Sequence, residues 1–165
     1  MATVVAKLFN IVQPERAYFG QKDIQQTIVL NALVRDLHLP IDLRVCPTIR
    51  ESDGLALSSR NAYLNPDQRD DALILSQALK AGVASYTAQT SPFAKTVREA
   101  ATATLSKSID ASEGRVSLDY LSLVDSDTLQ DLKDTDSAKG GVLVGAVFLH
   151  GAGRTIRLID NVILG

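Results

Sequence analysis

Two short stretches of the chain set a cation beside small polar groups in turn-like surroundings. One is Phe19–Gln26, FGQKDIQQ, and the other is Leu57–Asn61, LSSRN. In the first, a strand that closes on Gly20 and feeds a helix presents free backbone N–H groups, which suits a phosphate. Lys22 adds a flexible point charge at that spot. Asp23 has two readings: an acceptor for ribose hydroxyls, or the cap of its own helix. Gln26, three residues on and on a nearby face, can exchange hydrogen bonds with a small polar substrate. In the second stretch, Asp53-Gly54 reads as a tight turn. Ser58, Ser59 and Arg60 then offer two hydroxyls and a guanidinium, and Arg suits forked contact with phosphate oxygens.

Taken singly, each signal is weak. A lone lysine is most often a solvated surface charge, a lone Asp before a helix a cap, and a lone Gln an exposed helix residue. A polar loop is most often only a loop that runs into a helix. Two such groups on successive βα turns of one sheet make a stronger sign. The first turn is not the glycine-rich P-loop, because it has no second Gly and no Gly-Lys-Ser/Thr.

The elements that must position these turns follow from periodicity. Ala2 to Val12 places Val4, Val5, Leu8, Phe9 and Val12 at helical spacing, and Pro14 ends the run. RAYFG reads as a short buried strand closing at Gly20. Asp23 to Leu37 has mostly helical periodicity and stops before Pro40. IDLRVCPTI alternates like a strand. Helix, strand, helix, strand suggests a parallel sheet with a crossover helix. Arg50 to Asn61 is a polar loop. Asn65-Pro66-Asp67-Gln68 is a strong helix start, and that helix is expected to reach about Tyr86. Ser91-Pro92 is expected to start a second helix the same way, running to about Ile109. VSLDYLSLVD alternates as a strand, Asp131 to Gly141 is a loop, and GVLVGAVFLH and RTIRLIDNV form a final pair around the turn GAGR. The change from α/β alternation to helices followed by strands places a domain boundary near Leu64.

Composition narrows the function classes. With 165 residues, 45% of them hydrophobic, the chain can build a core in one domain or two small ones. Aromatics are 5% with no Trp, which argues against base-stacking surfaces. A net charge of −2 gives no global basic field for nucleic acid or membrane. One cysteine, Cys46, excludes an internal disulfide framework and fits a reducing compartment. His38 and His150 lie far apart and make no metal-ligand spacing, so no metal site is expected. No apolar run reaches membrane-spanning length. MATVVAKLFN lacks a signal-peptide layout and opens directly in a helix, as if the chain began in the middle of something.

The stretches FGQKDIQQ, RESDGLALSSRN-YL and RLIDN (Arg157–Asn161) closely resemble the pantothenate synthetase family, the pantoate–β-alanine ligases. The resemblance runs from about Thr3 to the C-terminus. It implies a Rossmann-like nucleotidyltransferase domain related to class I aminoacyl-tRNA synthetases, followed by a smaller domain that covers the site as a lid. The implied reaction joins pantoate to β-alanine through a pantoyl adenylate, with ATP, accompanied by Mg²⁺, becoming AMP and pyrophosphate. Carried over residue by residue, the resemblance gives Phe19, Gly20, Gln21, Lys22 and Asp23 to the ATP-binding turn. Lys22 would stabilise charge at the α- and γ-phosphates, and Asp23 would face the ribose. Leu57, Ser58, Ser59 and Arg60 match the phosphate loop that corresponds to the synthetases' Lys-Met-Ser-Lys-Ser signature, with the last three on the β- and γ-phosphates. Ile49 would give backbone contacts to adenine, and Gln26 would bind pantoate. Lys22, Ser58, Ser59 and Arg60 are therefore the expected catalytic group.

The chain also departs from the family. Members begin with a half-domain carrying a His-x-Gly-His signature whose histidines contact the ATP phosphates, and these 165 residues contain no such signature. His38 and His150 are expected in structural or surface roles. The expectation is thus the second half of a Rossmann-like ATP-binding domain with parallel strands (residues 1–64) and a small α+β lid domain (65–165). The lid would hold two helices and a mostly antiparallel three-stranded sheet. This polypeptide is expected to bind ATP weakly and not to ligate. Two other readings stay open: a competent short form completed by a partner chain, and a non-catalytic binding or oligomerisation module that retains the nucleotide turns. Family members are commonly dimers through the N-terminal domain. Here, surfaces bared by missing strands would invite self-association. The resemblance implies a cytoplasmic location.

Overall fold

In a computed structural model, which describes residues 1–151 and 153–165, the chain follows the expected order of elements. Packing divides it into two compact units, Met1–Thr48 and Ile49–Gly165.

In the first unit, helix α1 spans Ala2–Val12 and ends where Gln13 turns left-handed, its N–H returning to the Phe9 carbonyl. Strand β1, Arg16–Gly20, pairs in parallel with β2, Asp42–Cys46, so Gly20 and Cys46 close the same edge. Helix α2, Ile24–Asp36, makes the crossover and buries Ile24, Thr27, Ile28 and Leu30. His38 sits just past its end in left-handed backbone, exposed, and has a terminating role. The strand RAYFG, read from sequence as buried, is not. Its exposure alternates between half-buried and exposed, and Tyr18 keeps 64% of its surface. A short apolar run predicts burial only when both faces of the sheet are covered. On α1, Phe9 is buried, while Val4, Leu8, Ile11 and Val12 face solvent.

The second unit carries the larger core. Asn65 caps helix α3, Pro66–Asp71, in a full capping box: Gln68 N–H donates to Asn65 Oδ1 at 2.8 Å and Asn65 N–H to Gln68 Oε1 at 3.3 Å. Helix α4, Leu73–Thr87, continues after Ala72, which keeps helical dihedrals and its bond to the Gln68 carbonyl, so the single expected helix has only a local irregularity. Helix α5, Ala94–Ala111, begins later than Ser91-Pro92 predicts and has no side-chain cap. Residues 92–94 are instead tied to the 136–138 loop: Ala138 N–H donates to Pro92 O, Ala94 N–H to Asp136 O, and Phe93 bridges Ser137. Tertiary pairing displaces the helix start.

Strands β3 (Val116–Asp125), β4 (Gly141–Gly151) and β5 (Arg154–Ile163) form an antiparallel sheet in that order. The turn GAGR lies partly outside the described residues. β4 is the central strand and is buried almost throughout, which explains its unbroken apolar sequence. Leu75, Leu79, Val97, Leu105, Leu143, Val147 and Leu158 build the core between helices and sheet. The segment after Ile49 packs with this unit: Leu55 is 5% exposed and joins that core. That is why the packing division falls before the boundary expected near Leu64.

Candidate functional site

The two candidate turns belong to different units. In the first, Gly20 ends β1 and a single 3₁₀ turn, Gln21–Asp23, leads into α2. Nothing in the fold demands glycine at position 20. Its φ is −77°, and an added Cβ would meet no atom within 4 Å. Open space at the carboxyl edge of a parallel pair suits close approach of a ligand to backbone. Lys22 and Gln21 are half-buried and Asp23 is exposed. The Asp23 side chain makes no cap bond, so capping does not account for it. Phe19 turns its ring edge-on to Phe9, with centroids 6.4 Å apart, which leaves its backbone to border the turn. Gln26 lies half-buried in the first turn of α2. A pocket of about 340 Å³ in this unit is lined by Phe9, Pro14, Glu15, Leu39, Pro40 and Ile41. Glu15 and Ile41 immediately precede the two parallel strands, so this pocket opens at the edge opposite Gly20.

In the second unit, Ser58–Tyr63 forms the other turn. Ser58 Oγ accepts from Arg60 N–H at 3.2 Å and caps a 3₁₀ segment, Ser59–Tyr63. Ser59 and Arg60 are exposed, Leu57 is 55% exposed, and Ile49 is 70% exposed. Sequence reasoning found these residues but not what holds them. The Arg50 guanidinium makes a two-pronged bond to Asp160, Nη1 to Oδ2 at 2.7 Å and Nη2 to Oδ1 at 3.0 Å, and Nη1 also reaches Gly54 O at 3.1 Å. Asn61 Nδ2 donates to Glu51 Oε1 at 2.6 Å and to Ala56 O at 3.1 Å. Arg69, from α3, donates through Nη2 to Glu51 at 2.7 Å and through Nε to Asp53 at 2.8 Å. The Arg154 guanidinium stacks over the Tyr63 ring at 3.9 Å.

This network fixes charge. The hydrogen bond from Arg69, then that from Asn61, holds the Glu51 carboxyl below its usual range. The backbone N–H of Leu55 lowers Asp53 most, and Arg69 adds to it. Arg69 is raised in turn, first by Glu51 and then by Asp53. Both carboxylates therefore stay ionised and engaged, and the exposed cation of the loop tip is Arg60. Arg50 and Asp160 lie in the two quoted motifs RESDG and RLIDN, but a pairing across 110 residues has no local signal.

His150 places Nε2 2.8 Å from Ser117 Oγ and Nδ1 3.3 Å from Thr155 Oγ1, across the exposed face of the sheet. This is a surface role, as expected. Among the described residues, no group of three or more His, Cys, Asp or Glu is placed to hold a metal ion, and no helix is long and apolar enough to cross a membrane.

The family model for pantoate-beta-alanine ligase matches residues 1–163. The chain belongs to that family. It is 47% identical to the pantothenate synthetase of Herpetosiphon aurantiacus over 164 residues, covering 99% of this chain and 55% of the relative. It is 48% identical to that of Moorella thermoacetica over 165 residues, covering 99% and 54%. Among solved structures, pantothenate synthetase from Thermus thermophilus superposes with a TM-score of 0.80 at 41% identity, over 98% of this chain and 54% of that one. Pantoate-beta-alanine ligase from Francisella tularensis, complexed with beta-gamma ATP and beta-alanine, superposes with a TM-score of 0.62 at 27% identity, over 98% and 48%. The ligase-family chain thus spans about half the length of the curated relatives it matches. Its architecture is the family's: a parallel sheet with helices, and a small antiparallel three-stranded sheet.

Proposed function

We propose that this ligase-family chain carries one side of the ATP site of a pantoate–β-alanine ligase, on the second half of a Rossmann-like domain and a lid. The observation that carries the reading is the placement of Gly20–Asp23. Gly20 closes the carboxyl edge of a parallel strand pair with open space where a Cβ would stand, and Gln21–Asp23 run from it into a helix N-terminus. Phe19, Gly20 and Gln21 supply backbone there, Lys22 neutralises charge on the α- and γ-phosphates, and Asp23 accepts from the ribose. Ile49 borders adenine through its backbone. Leu57, Ser58, Ser59 and Arg60 form the loop for the β- and γ-phosphates, and Gln26 binds pantoate. ATP arrives as its Mg²⁺ chelate.

In the proposed reaction the pantoate carboxylate attacks the α-phosphorus. A C–O–P bond forms and pyrophosphate leaves. The β-alanine amine then attacks the acyl carbon, loses a proton and expels AMP. Both nucleophiles come from the substrates, so the protein's task is charge stabilisation, where one placed donor is worth about 3–4 kcal/mol. The 165 residues lack the two phosphate-contacting histidines that the family resemblance implies, so this polypeptide binds ATP weakly and does not ligate.

The test is pantoate- and β-alanine-dependent AMP release by the polypeptide, with ATP titration of the parent, Lys22→Ala and Arg60→Ala. The expected result is no AMP above background, and weak ATP binding that each substitution lowers roughly tenfold or more. Turnover that disappears in Lys22→Ala sinks the inactive reading. ATP binding indifferent to both substitutions sinks the ATP site and leaves a non-catalytic binding or oligomerisation module.

A further inference from the structure

The segment Arg50–Tyr63 is attached to one strand at both ends. Arg154, Ile156, Leu158 and Asp160 alternate along β5 and share a face. Ile156 and Leu158, in the middle, are buried in the core. At one end Asp160, 5% exposed, takes both prongs of Arg50. At the other, Arg154 lies 3.9 Å over the ring of Tyr63. Between these points the loop sinks Leu55 and Ala56 into the unit and leaves Leu57, Ser59 and Arg60 outside. The segment is therefore shaped by β5, with its exposed tip between the two clasps.

We propose that Asp160 and Arg154 are positioning residues. They act through Arg50 and Tyr63 to hold Ser58, Ser59 and Arg60 in the shape that receives a triphosphate. This rests on the ATP-site reading above. The chemistry is asymmetric at the two ends. Asp160 is nearly buried, and its Oδ1 also accepts from the Asn161 N–H at 2.8 Å, so its carboxylate has one fixed orientation for the guanidinium. An asparagine would keep one oxygen but turn an amide N–H₂ toward an Arg50 prong, leaving two donors face to face. The Arg154–Tyr63 contact uses the ring face and not the hydroxyl.

The experiment is amide hydrogen exchange of the full 165-residue chain by NMR, in the parent and four variants. Asp160→Asn and Tyr63→Ala each release one clasp. Tyr63→Phe keeps the ring face. Asp119→Asn removes a different ion pair to the same strand, Asp119 with Arg157 at 2.8 Å. Exchange at Leu57–Asn61 is expected to quicken at least fivefold in Asp160→Asn and Tyr63→Ala, with β4 amides unchanged, and to hold within twofold in Tyr63→Phe and Asp119→Asn. The loosened variants are also expected to lose about tenfold in ATP affinity. Tip exchange that matches the two control variants overturns the proposal. Should Asp160→Asn fail to fold, the Tyr63 pair decides alone. ATP affinity unchanged in Arg60→Ala overturns the ATP-site reading, and with it the ligand of the proposal. That result is separate from the exchange result, because Arg60 belongs to neither clasp.

Discussion

Gly82 in α4 offers a sharp test of how the larger unit is packed. A Cβ built at Gly82 would stand 2.5 Å from Leu143 Cδ2, 3.4 Å from Ala101 Cβ and 3.5 Å from the Val97 carbonyl oxygen. The last two are near ordinary contact. The first is a clash of roughly 1 Å, since carbon atoms pack best at about 3.5–4.0 Å. Leu143 is 0% exposed, on the central strand, and has little room to turn aside. Gly82→Ala therefore meets two opposed effects. Overpacking costs about 1–3 kcal/mol. Replacing glycine inside a helix gains about 1 kcal/mol. The net expected change is a loss of about 0–2 kcal/mol. Leu143→Ala alone costs about 2–5 kcal/mol, as a cavity. In the double variant the added methyl points into the space that Leu143 has vacated, and the clash is gone. Gly82→Ala should then be neutral or stabilising by up to about 1 kcal/mol, which is the helix effect alone. The two substitutions are thus coupled by about 1–3 kcal/mol, well above the roughly 0.5 kcal/mol scatter of independent sites. Urea unfolding followed by far-ultraviolet circular dichroism measures all four proteins, and exchange of β4 amides assigns the change to this unit. Simple additivity would refute the reasoning, because it would mean that Leu143 does not fill the space beside Gly82.

Two further outcomes follow from surface chemistry. Glu51 and Asp53 are held below their usual pKa by hydrogen bonds that favour the ionised form, so their contribution is present above the unfolded-state pKa and lost as pH falls through the folded one. Acidification below about pH 4 should loosen the Arg50–Asn61 loop before the core. Fast exchange there with β4 still protected is the expected observation, and simultaneous loss of both counts against it. On α1, the exposed Val4, Leu8, Ile11 and Val12 form an apolar surface, and β1 and β2 form a sheet of only two strands. The polypeptide is expected to self-associate with rising concentration in light scattering, and Ile11→Glu with Leu8→Glu should return it to monomer. A parent that stays monomeric at high concentration sinks this.

What could be read from sequence depended on how local its cause was. The parallel pair, the crossover helix, the Asn65 capping box and the three antiparallel strands were all legible, because each arises from periodicity or from groups a few residues apart. The start of α5 was misplaced because residues 92–94 answer to the distant 136–138 loop and not to the nearby Ser91-Pro92. The burial of RAYFG was misjudged because burial depends on what lies above and below a strand, and an apolar run does not report that. The candidate site divides in the same way. Lys22 and the group Ser58, Ser59 and Arg60 announce themselves by residue type in turns. Asp160 and Arg154 do not, although Asp160 lies in the visible RLIDN motif, because their meaning is a contact across most of the chain. A loop that must offer exposed, unshielded groups to a charged ligand cannot also bury those groups to hold its own shape. Its rigidity has to be supplied by neighbours. Here the supply comes from a buried carboxylate and a stacked guanidinium, both carried by β5, while the loop's own Leu55 anchors it in the core. Candidate residues for a ligand can be picked out by their chemistry, but the contacts that shape their loop are found only by folding the chain.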